Sequence, residues 1–272
     1  GNAEIQAVTR VLKRKKLFRF LNKPEVSETA RLEGGYRKMT GAKYALATNG
    51  GTTALVAAMK GLGIGAGDEV IIPGYTYIAT ASAVIVCNAV PVIAEIDRSL
   101  TLDPKDVERK ITRYTRAIVP VHMRGTPSRM KELLAVAKKH KLKVLEDVAQ
   151  ANGGKYQGRF LGTLGDAGIF SFQHYKVITA GEGGMVITSD RGVYARSAVA
   201  HDSAMHFWDH GFKVKAFAGE NFRMDDVHGA IGLVQLGRLK GILSATRRIK
   251  ARILAQVRGV PGLELQDVPD AK

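Results

Sequence analysis

The feature that most constrains the fold is an alternation of short apolar segments with segments of helical periodicity. The apolar segments predict strands at Tyr44–Thr48, Glu69–Ile72, Val90–Ile96, Ala117–Val121, Leu142–Glu146, Ala167–Phe172 and Gly184–Thr188. Helical segments precede, separate and follow them, at Ala3–Lys16, Ser27–Met39, Thr52–Leu62, Thr76–Val86, Arg191–Ala200 and Met224–Leu239. Strand–helix–strand units of this length join parallel strands and cover both sheet faces. The sequence therefore predicts a three-layer α/β/α fold with a mostly parallel central sheet.

Two residue pairs with proline at the second position predict further helix starts. Asp103-Pro104 and Thr126-Pro127 each offer a side-chain cap followed by proline at the first helical position. The second of these helices is expected to end near His140. After the last helix, Leu263–Gln266 predicts a short strand.

Ligands of such sheets bind beyond the carboxyl ends of the strands. The segments expected at that edge are polar or rich in glycine: Asn49–Thr53, Pro73–Tyr77, His122–Gly125 and Asp147–Gln150. We therefore expect the functional residues at this edge.

Asn49–Thr53 follows a strand and opens a helix. Its free backbone N–H groups and the helix dipole favour an anion, and Gly50 and Gly51 let a phosphate come close to the backbone. A purely structural turn explains the same composition equally well. It is not a Walker A loop, because no Gly-Lys-Ser/Thr follows.

Glu146 and Asp147 end an apolar strand at the same edge. Neighbouring side chains of a strand point to opposite faces, so the two are not a paired acid and base. One of them is expected to have a cationic partner. The structural alternative for Asp147 is a helix cap.

Lys176 lies in a short loop between two apolar strands, five residues after Ser171. Partial desolvation favours the neutral, nucleophilic amine that Schiff-base chemistry needs. The Ser171 hydroxyl suits a phosphate. Most lysines are only surface charges, and the neighbours of Lys176 distinguish it from them.

The motifs around these residues resemble the DegT-type sugar aminotransferases, a group of fold-type-I enzymes that depend on pyridoxal 5'-phosphate (PLP). The matching stretches cover nearly the whole chain in family order: GAKYALATNGGTTAL, GDEVIIPGYTYIAT, AVPVIAEID, TRAIVPVHMRG, VLEDVAQANGG, GDAGIFSFQHYKVITAGEGGMVITSD and NFRMDDVHGAIGLVQL. The resemblance implies the PLP-dependent transferase fold type I.

The resemblance also implies roles for single residues. Lys176 matches the lysine that forms the internal aldimine with PLP, and Asp147 matches the carboxylate that pairs with the protonated pyridine nitrogen. Gln150 matches a residue near the cofactor's phenolic oxygen, and Tyr77 an aromatic ring stacked on the pyridine. The matches to the phosphate cradle are Thr52, Thr53 and Ser171, and Asn221 matches an asparagine that reaches the cofactor phosphate of a neighbouring subunit.

The implied reaction is amino transfer from glutamate or glutamine to a keto-sugar or keto-cyclitol, through PLP and pyridoxamine phosphate. A related dehydrating subgroup has histidine in place of the lysine; here Lys176 is present and His174 is two places away. Lys176 is expected to move protons as general acid and base. The resemblance further implies a homodimer with a shared active site.

Four further residues are weaker candidates for contact with the substrate: His122, Arg124, His201 and Arg223. For Arg223, an ion pair with Asp225 or Asp226 is an equally good explanation. A metal site at His201, Asp202, His206 and His210, around Trp208, fits no standard spacing, and we predict no metal.

Charge and composition exclude several classes of protein. With 45% hydrophobic residues the chain is not disordered, and Cys87, the single cysteine, cannot form a disulfide within the chain. The apolar stretch from Ala79 to Ala94 is broken by polar residues and proline, so no membrane span is predicted, and a cytoplasmic location is expected. The net charge of +16 allows a nucleic-acid-binding protein, but no accompanying motif supports one.

We predict an N-terminal helical arm over residues 1–24, a large PLP-binding domain over 25–200, and connecting helices with the start of a small C-terminal domain over 201–272. Relatives continue further, so the small domain is expected to be truncated. A truncated, non-catalytic or regulatory PLP-fold protein is the alternative function, and a basic nucleic-acid-binding protein a more distant one.

Overall fold

The chain folds around one seven-stranded sheet, seen in a computed structural model that describes residues 1–205, 214–215 and 217–270. The helices are α1 (Asn2–Arg14), α2 (Glu28–Thr40), α3 (Gly51–Gly61), α4 (Ala79–Val86), α5 (Pro104–Lys110), α6 (Met130–His140), α7 (Arg191–His201) and α8 (Asp226–Val257). The strands are β1 (Tyr44–Thr48), β2 (Glu69–Pro73), β3 (Val90–Ala94), β4 (Thr115–Ile118), β5 (Lys143–Asp147), β6 (Lys155–Tyr156), β7 (Arg159–Phe160), β8 (Ala167–Ser171) and β9 (Gly184–Thr188).

The strand order in the main sheet is β1-β9-β8-β5-β4-β2-β3. β9 pairs antiparallel with β1 and with β8, whereas the other neighbouring strands pair in parallel. The predicted mostly parallel sheet is therefore confirmed. The small hairpin of β6 and β7 lies outside this sheet and was not anticipated.

Each face of the sheet carries its own apolar core, which gives the three layers. On β2, Ile71 belongs to the core under α2, α5 and α6, while Val70 and Ile72 belong to the core under α3 and α4. A strand buried on both faces reads as a continuous apolar run. This is why the strands were recognisable in the sequence.

The ends of several helices follow from single residues. The Ser27 hydroxyl accepts a hydrogen bond from the backbone N–H of Ala30 at the start of α2, and Gly41, with φ of 78°, ends that helix. Asp103 and Asp190 cap α5 and α7 in the same way as Ser27. The predicted cap at Asp103-Pro104 is confirmed.

Several local predictions were wrong, including the ends of β3 and β4, which stop at Ala94 and Ile118 and not at Ile96 and Val121. α6 begins at Met130, not at Thr126-Pro127, because the backbone N–H of Ser128 is engaged by the ring of His122. α4 begins at Ala79, and α8 continues to Val257 instead of ending near Leu239. Leu263–Gln266 forms no strand; the Gln266 side chain instead donates to the carbonyl of Ser99 at 2.6 Å.

The N-terminal segment, from α1 to the start of α2, packs against α8 and forms hydrogen bonds with it. Ala7 and Val11 of α1 pack against Ala230. The buried carboxylate of Asp226 accepts hydrogen bonds from Asn22 and Ser27, at 2.9 and 2.8 Å. The proposed division at residue 24 stays a prediction. Within the described ranges, every helix is too short or too polar to cross a bilayer.

Candidate active site

A cavity of about 570 Å³ opens at the carboxyl edge of the sheet. Its walls come from the segments that follow β1, β2, β5 and β8. These are three of the four segments predicted from the sequence, together with the loop that carries Lys176. The fourth segment, His122–Gly125, was predicted wrongly: its residues are absent from the described cavity wall, to which only the preceding Val121 contributes after β4.

The N-terminus of α3 forms one end of this cavity. Gly50 occupies the cap position without a side-chain cap, and Ala54 is the first residue whose N–H bonds back, to the Gly50 carbonyl. The N–H groups of the first helical turn are therefore available to a ligand. Gly51 lies so close to β8 that an added Cβ would be 2.7 Å from the Cβ of Ser171. Backbone amides and the Ser171 hydroxyl thus meet where an anion would bind.

Thr52 and Thr53 differ in their surroundings. Thr52 is exposed and lines the cavity. The Thr53 hydroxyl lies 2.8 Å from the Asn49 side-chain oxygen and 2.9 Å from the Gly50 carbonyl, so it is engaged within the turn. Thr53 can contribute its backbone N–H to an anion, whereas its side chain supports the loop.

Asp147 ends β5 with its carboxylate facing the cavity. The backbone N–H of Ala149 donates to Oδ1 at 3.0 Å, and the Thr80 hydroxyl donates to Oδ2 at 3.1 Å. Burial raises the pKa of Asp147, while these two hydrogen bonds and the charge of Lys176 act in the opposite direction. A buried carboxylate of this kind is suited to meet one cationic group.

Glu146 points to the opposite face, as strand geometry requires. Its two oxygens accept backbone hydrogen bonds from Gly162, Leu164 and Gly165, at 2.9, 2.7 and 2.8 Å. His122 lies 3.1 Å away through Nε2. Because the His122 Nδ1 accepts from the Ser128 N–H, the ring carries its proton on Nε2 and donates it to Glu146. The structure therefore places His122 in a buried structural network and not in the cavity.

Lys176 is half-buried and lines the same cavity as Asp147. Its Nζ lies 5.8 Å from the centroid of the Tyr77 ring, which is 64% exposed. The amine, the acid and an exposed aromatic face thus surround one space. This is the juxtaposition that the motifs implied.

Gln150 lines the cavity next to Arg124. Its Oε1 accepts the backbone N–H of Arg124 at 3.3 Å. Arg124 is exposed, has φ of 54°, and directs Nε toward the Tyr75 hydroxyl at 3.4 Å. Arg124 therefore borders the site through Gln150 without lining the cavity itself.

Asn221 and Arg223 lie beside the end of β1. Asn221 is exposed, and its carbonyl accepts from the Asn49 side chain at 3.3 Å. Arg223 forms an ion pair, as the structural alternative predicted, but its partner is Asp202 at 2.7 Å and not Asp225 or Asp226. Neither residue lines the cavity of its own chain.

His201 is completely buried and does not reach the cavity. Its Nδ1 lies 3.1 Å from the Ala198 carbonyl. His206, Trp208 and His210 of the considered metal cluster lie outside the described residues. Among the described residues, no group of His, Cys, Asp and Glu could hold a metal ion.

Sequence reasoning missed four polar residues of the cavity wall: Thr76, Thr80, Gln173 and Glu182. Thr76 and Thr80 carried a signal, since two hydroxyls four residues apart follow a strand end. Glu182 stood within the quoted glycine-rich motif without a role.

A profile of the DegT/DnrJ/EryC1/StrS aminotransferase family matches residues 1–272. The chain belongs to this family. The resemblance found in the sequence is thereby confirmed.

Among the curated proteins that this chain resembles, two illustrate the range of their names. A GDP-perosamine synthase of Caulobacter vibrioides is 42% identical over 222 residues, which are 80% of this chain and 58% of the relative. An L-glutamine:2-deoxy-scyllo-inosose aminotransferase of Micromonospora echinospora is 48% identical over 155 residues, 57% of this chain and 37% of the relative. The chain thus spans less than two thirds of the length of these relatives.

Solved structures share the fold over nearly the whole chain. The crystal structure of DesV from S. venezuelae, in complex with a ketimine intermediate, superposes with a TM-score of 0.88 at 34% identity and covers 98% of this chain and 70% of that one. The 3-amino-5-hydroxybenzoic acid synthase superposes with a TM-score of 0.89 at 31% identity, over 99% and 70% of the two chains. These similarities confirm the predicted fold class.

PLP is the cofactor of this family, which confirms the predicted cofactor, and the cavity fits it. The amides at the start of α3 and the Ser171 hydroxyl suit the phosphate. Asp147 suits the ring nitrogen, and Lys176 would supply the amine for the aldehyde carbon. The contact between Gly51 and Ser171 leaves no room for a side chain between α3 and β8.

Proposed function

We propose that the chain acts as a PLP-dependent aminotransferase that moves an amino group from glutamate or glutamine to a keto-sugar or keto-cyclitol. The proposal depends on one observation: Lys176 and Asp147 face the same cavity. One end of that cavity is formed by the backbone amides at the start of α3 and the Ser171 hydroxyl, which we call the anion cradle. Family membership supports the same reaction class.

Each residue has a distinct task in this proposal. Bound PLP supplies an electron sink for the bonds at the reacting carbon. Asp147 keeps the ring nitrogen protonated, and the N-terminus of α3 with Ser171 holds the phosphate. Lys176 Nζ would act as the general base that removes a proton from the reacting carbon and as the general acid that returns it. Tyr77, which lines the cavity and is largely exposed, would cover the ring.

The polar wall of the cavity supports a hydroxylated acceptor. Gln150, Gln173 and Glu182 line the wall and offer hydrogen-bonding groups to ring hydroxyls. The named relatives support two acceptor classes, a nucleotide-linked sugar and a cyclitol, and one of them names glutamine as the donor. Of these, we propose a nucleotide-linked keto-sugar first. Arg124 borders the cavity and is the candidate residue for binding an anionic group of the amino donor or of the acceptor.

A homodimer with a shared site is part of the proposal. Asn221 is exposed beside the anion cradle of its own chain and does not line the cavity there. Five large apolar side chains are exposed along α4 and β3, directly after the cavity residue Tyr77: Ile78, Ile85, Val86, Val90 and Ile93. A second copy of the chain would cover them.

A reducing, cytoplasmic location also belongs to the proposal. Cys87 is the single cysteine and is buried at the end of α4. Burial raises the pKa of its thiol to about 11, so the thiol stays protonated and packs as a small apolar group.

The decisive experiment is to trap the cofactor on its lysine. PLP added to the purified protein should produce the visible absorbance of lysine-bound PLP, and borohydride reduction followed by peptide mass mapping should place the adduct on Lys176. Lys176→Ala should lose the adduct, while the exposed control Lys240→Ala on α8 should keep it. An adduct that persists in Lys176→Ala would contradict the assignment.

The donor is tested on the same preparation. Glutamine or glutamate should convert bound PLP to pyridoxamine phosphate with release of the matching keto acid, and a panel of keto-sugars and keto-cyclitols should reverse the change. If no donor changes the spectrum of protein that holds PLP on Lys176, the non-catalytic alternative is supported instead.

A further inference from the structure

Two threonine hydroxyls form a chain that ends on Asp147. The Thr80 side chain is buried in the first turn of α4, and its hydroxyl lies 3.1 Å from Asp147 Oδ2. The Thr76 hydroxyl lies 2.8 Å from that of Thr80. Both threonines line the cavity.

The chemistry of the three groups sets the direction of the chain. An ionised carboxylate can only accept hydrogen bonds, so Thr80 donates its proton to Asp147. The Thr80 oxygen is then free to accept, and Thr76 donates to it. Both hydroxyl dipoles are therefore aligned toward the carboxylate, which strengthens the bond to it.

The same contact fixes the plane of the carboxyl group. The Ala149 N–H holds Oδ1 and Thr80 holds Oδ2, so neither oxygen is free to rotate away. We propose that Thr80, supported by Thr76, is a positioning residue that keeps Asp147 ionised and oriented toward the ring nitrogen of PLP. The inference rests on the proposed function for the group that Asp147 meets.

Electrostatics support this role. Burial raises the pKa of Asp147, and the hydrogen bonds from Ala149 and Thr80 lower it. Two titratable groups act on Asp147 through their charge: Lys176, which lines the same cavity, and His122, whose ring pairs with Glu146 on the opposite face of β5. Removing the Thr80 hydroxyl leaves a buried carboxylate with one donor fewer, which favours its protonated form. A protonated Asp147 can no longer pair as an anion with a protonated ring nitrogen.

The test compares Thr80→Val, which keeps the shape and removes the hydroxyl, with Thr80→Ser, which keeps the hydroxyl. In protein without cofactor, the carboxyl carbon of Asp147 is titrated by ¹³C NMR. The midpoint should rise by about one pH unit in Thr80→Val, as expected for a hydrogen bond to a charged group. It should stay near the wild-type value in Thr80→Ser and in Thr246→Val, an exposed control on α8.

The second readout is PLP affinity against pH. Thr80→Val should bind PLP about tenfold more weakly, and its loss of binding on the acid side should begin at higher pH, because Asp147 takes up its proton earlier. Thr80→Ser should have the wild-type PLP affinity and should lose binding at the wild-type pH. Wild-type values in Thr80→Val would overturn the inference, and so would a Thr80→Ser variant that behaves like Thr80→Val. If unchanged protein binds no PLP, the proposed function fails, and the carboxyl titration alone decides whether Thr80 acts on Asp147.

Discussion

Complete burial keeps the ring of His201 neutral. The side chain has no solvent exposure, and Nδ1 is directed to the Ala198 carbonyl at 3.1 Å. Burial lowers the pKa of His201 to about 4, and the positive charge of Arg19 acts in the same direction. The ring is therefore a neutral group of the interior, and among the described residues its Nε2 has no hydrogen-bond partner.

The burial of His201 predicts a pH dependence of stability. Between pH 6.5 and 4 the unfolded chain binds a proton on this ring and the folded chain does not, so the free energy of unfolding falls as pH falls. The His201 contribution to this loss between pH 7 and pH 5 is about 2 kcal/mol. Urea denaturation at the two pH values should show a smaller loss in His201→Gln than in wild type.

The control for this prediction is His174→Gln. His174 is exposed, so its ring stays in water in both states and the variant should keep the wild-type pH dependence. A His201→Gln variant with the same loss of stability as wild type would show that His201 does not carry it.

At the scale of elements, the site depends on how closely α3 approaches the sheet. A Cβ on Gly51 would lie 2.7 Å from the Cβ of Ser171, and one on Gly184 would lie 2.3 Å from the Gly50 carbonyl oxygen. Glycines at these two positions let the helix start sit directly on the ends of β8 and β9. The anion cradle exists because of this approach.

Gly51→Ala should therefore weaken both the fold and the cradle. The new methyl group has to displace Ser171, and overpacking of this kind costs about 1–3 kcal/mol. We expect a lower free energy of unfolding in urea and weaker PLP binding. The matched control is Gly237→Ala within α8, where a Cβ meets nothing within 4 Å. It should raise stability by up to about 1 kcal/mol and leave PLP binding unchanged. Equal behaviour of the two variants would contradict the close approach as the cause.

An element can be predicted from the sequence when the residues that determine it lie within the element itself. β1 and β9 were predicted with their observed bounds because both are short apolar runs that end at turn residues. Thr126-Pro127 failed because the backbone after it is bound to His122, and Leu263–Gln266 failed because no strand pairs with it.

The same distinction holds for the candidate site. Asp147 and Ser171 were found because each ends a strand within a family motif, and Lys176 because it lies in the loop of such a motif between two strands. Thr80 was missed because its role depends on a contact with a residue 67 positions later in the chain. Periodicity reports which face a residue occupies, but not which distant side chain it meets.

At the scale of the whole molecule, one exposed apolar surface stands beside the cavity. We call Ile78, Ile85, Val86, Val90 and Ile93 the α4–β3 surface; each of these side chains is at least half exposed. β3 lies at the edge of the described sheet, and an unpaired apolar edge strand invites association. Covering this surface with a second copy would bring another chain next to Tyr77 at the cavity mouth.

This surface predicts the oligomeric state. Wild type should have the mass of a dimer in sedimentation velocity, and the double variant Ile85→Glu/Ile93→Glu should have that of a monomer with an unchanged circular dichroism spectrum. Each chain would bring two carboxylates into an apolar interface, and removing a carboxylate from water costs several kcal/mol. The control is Ile249→Glu on α8, which changes an exposed isoleucine outside the α4–β3 surface; this variant should stay dimeric.

If the site is shared, PLP affinity should fall with the loss of the dimer, because Asn221 would no longer reach the phosphate of the PLP bound to the other chain. A monomeric double variant that binds PLP as tightly as wild type would separate dimer formation from the site, and a double variant that stays dimeric would assign the interface to another surface.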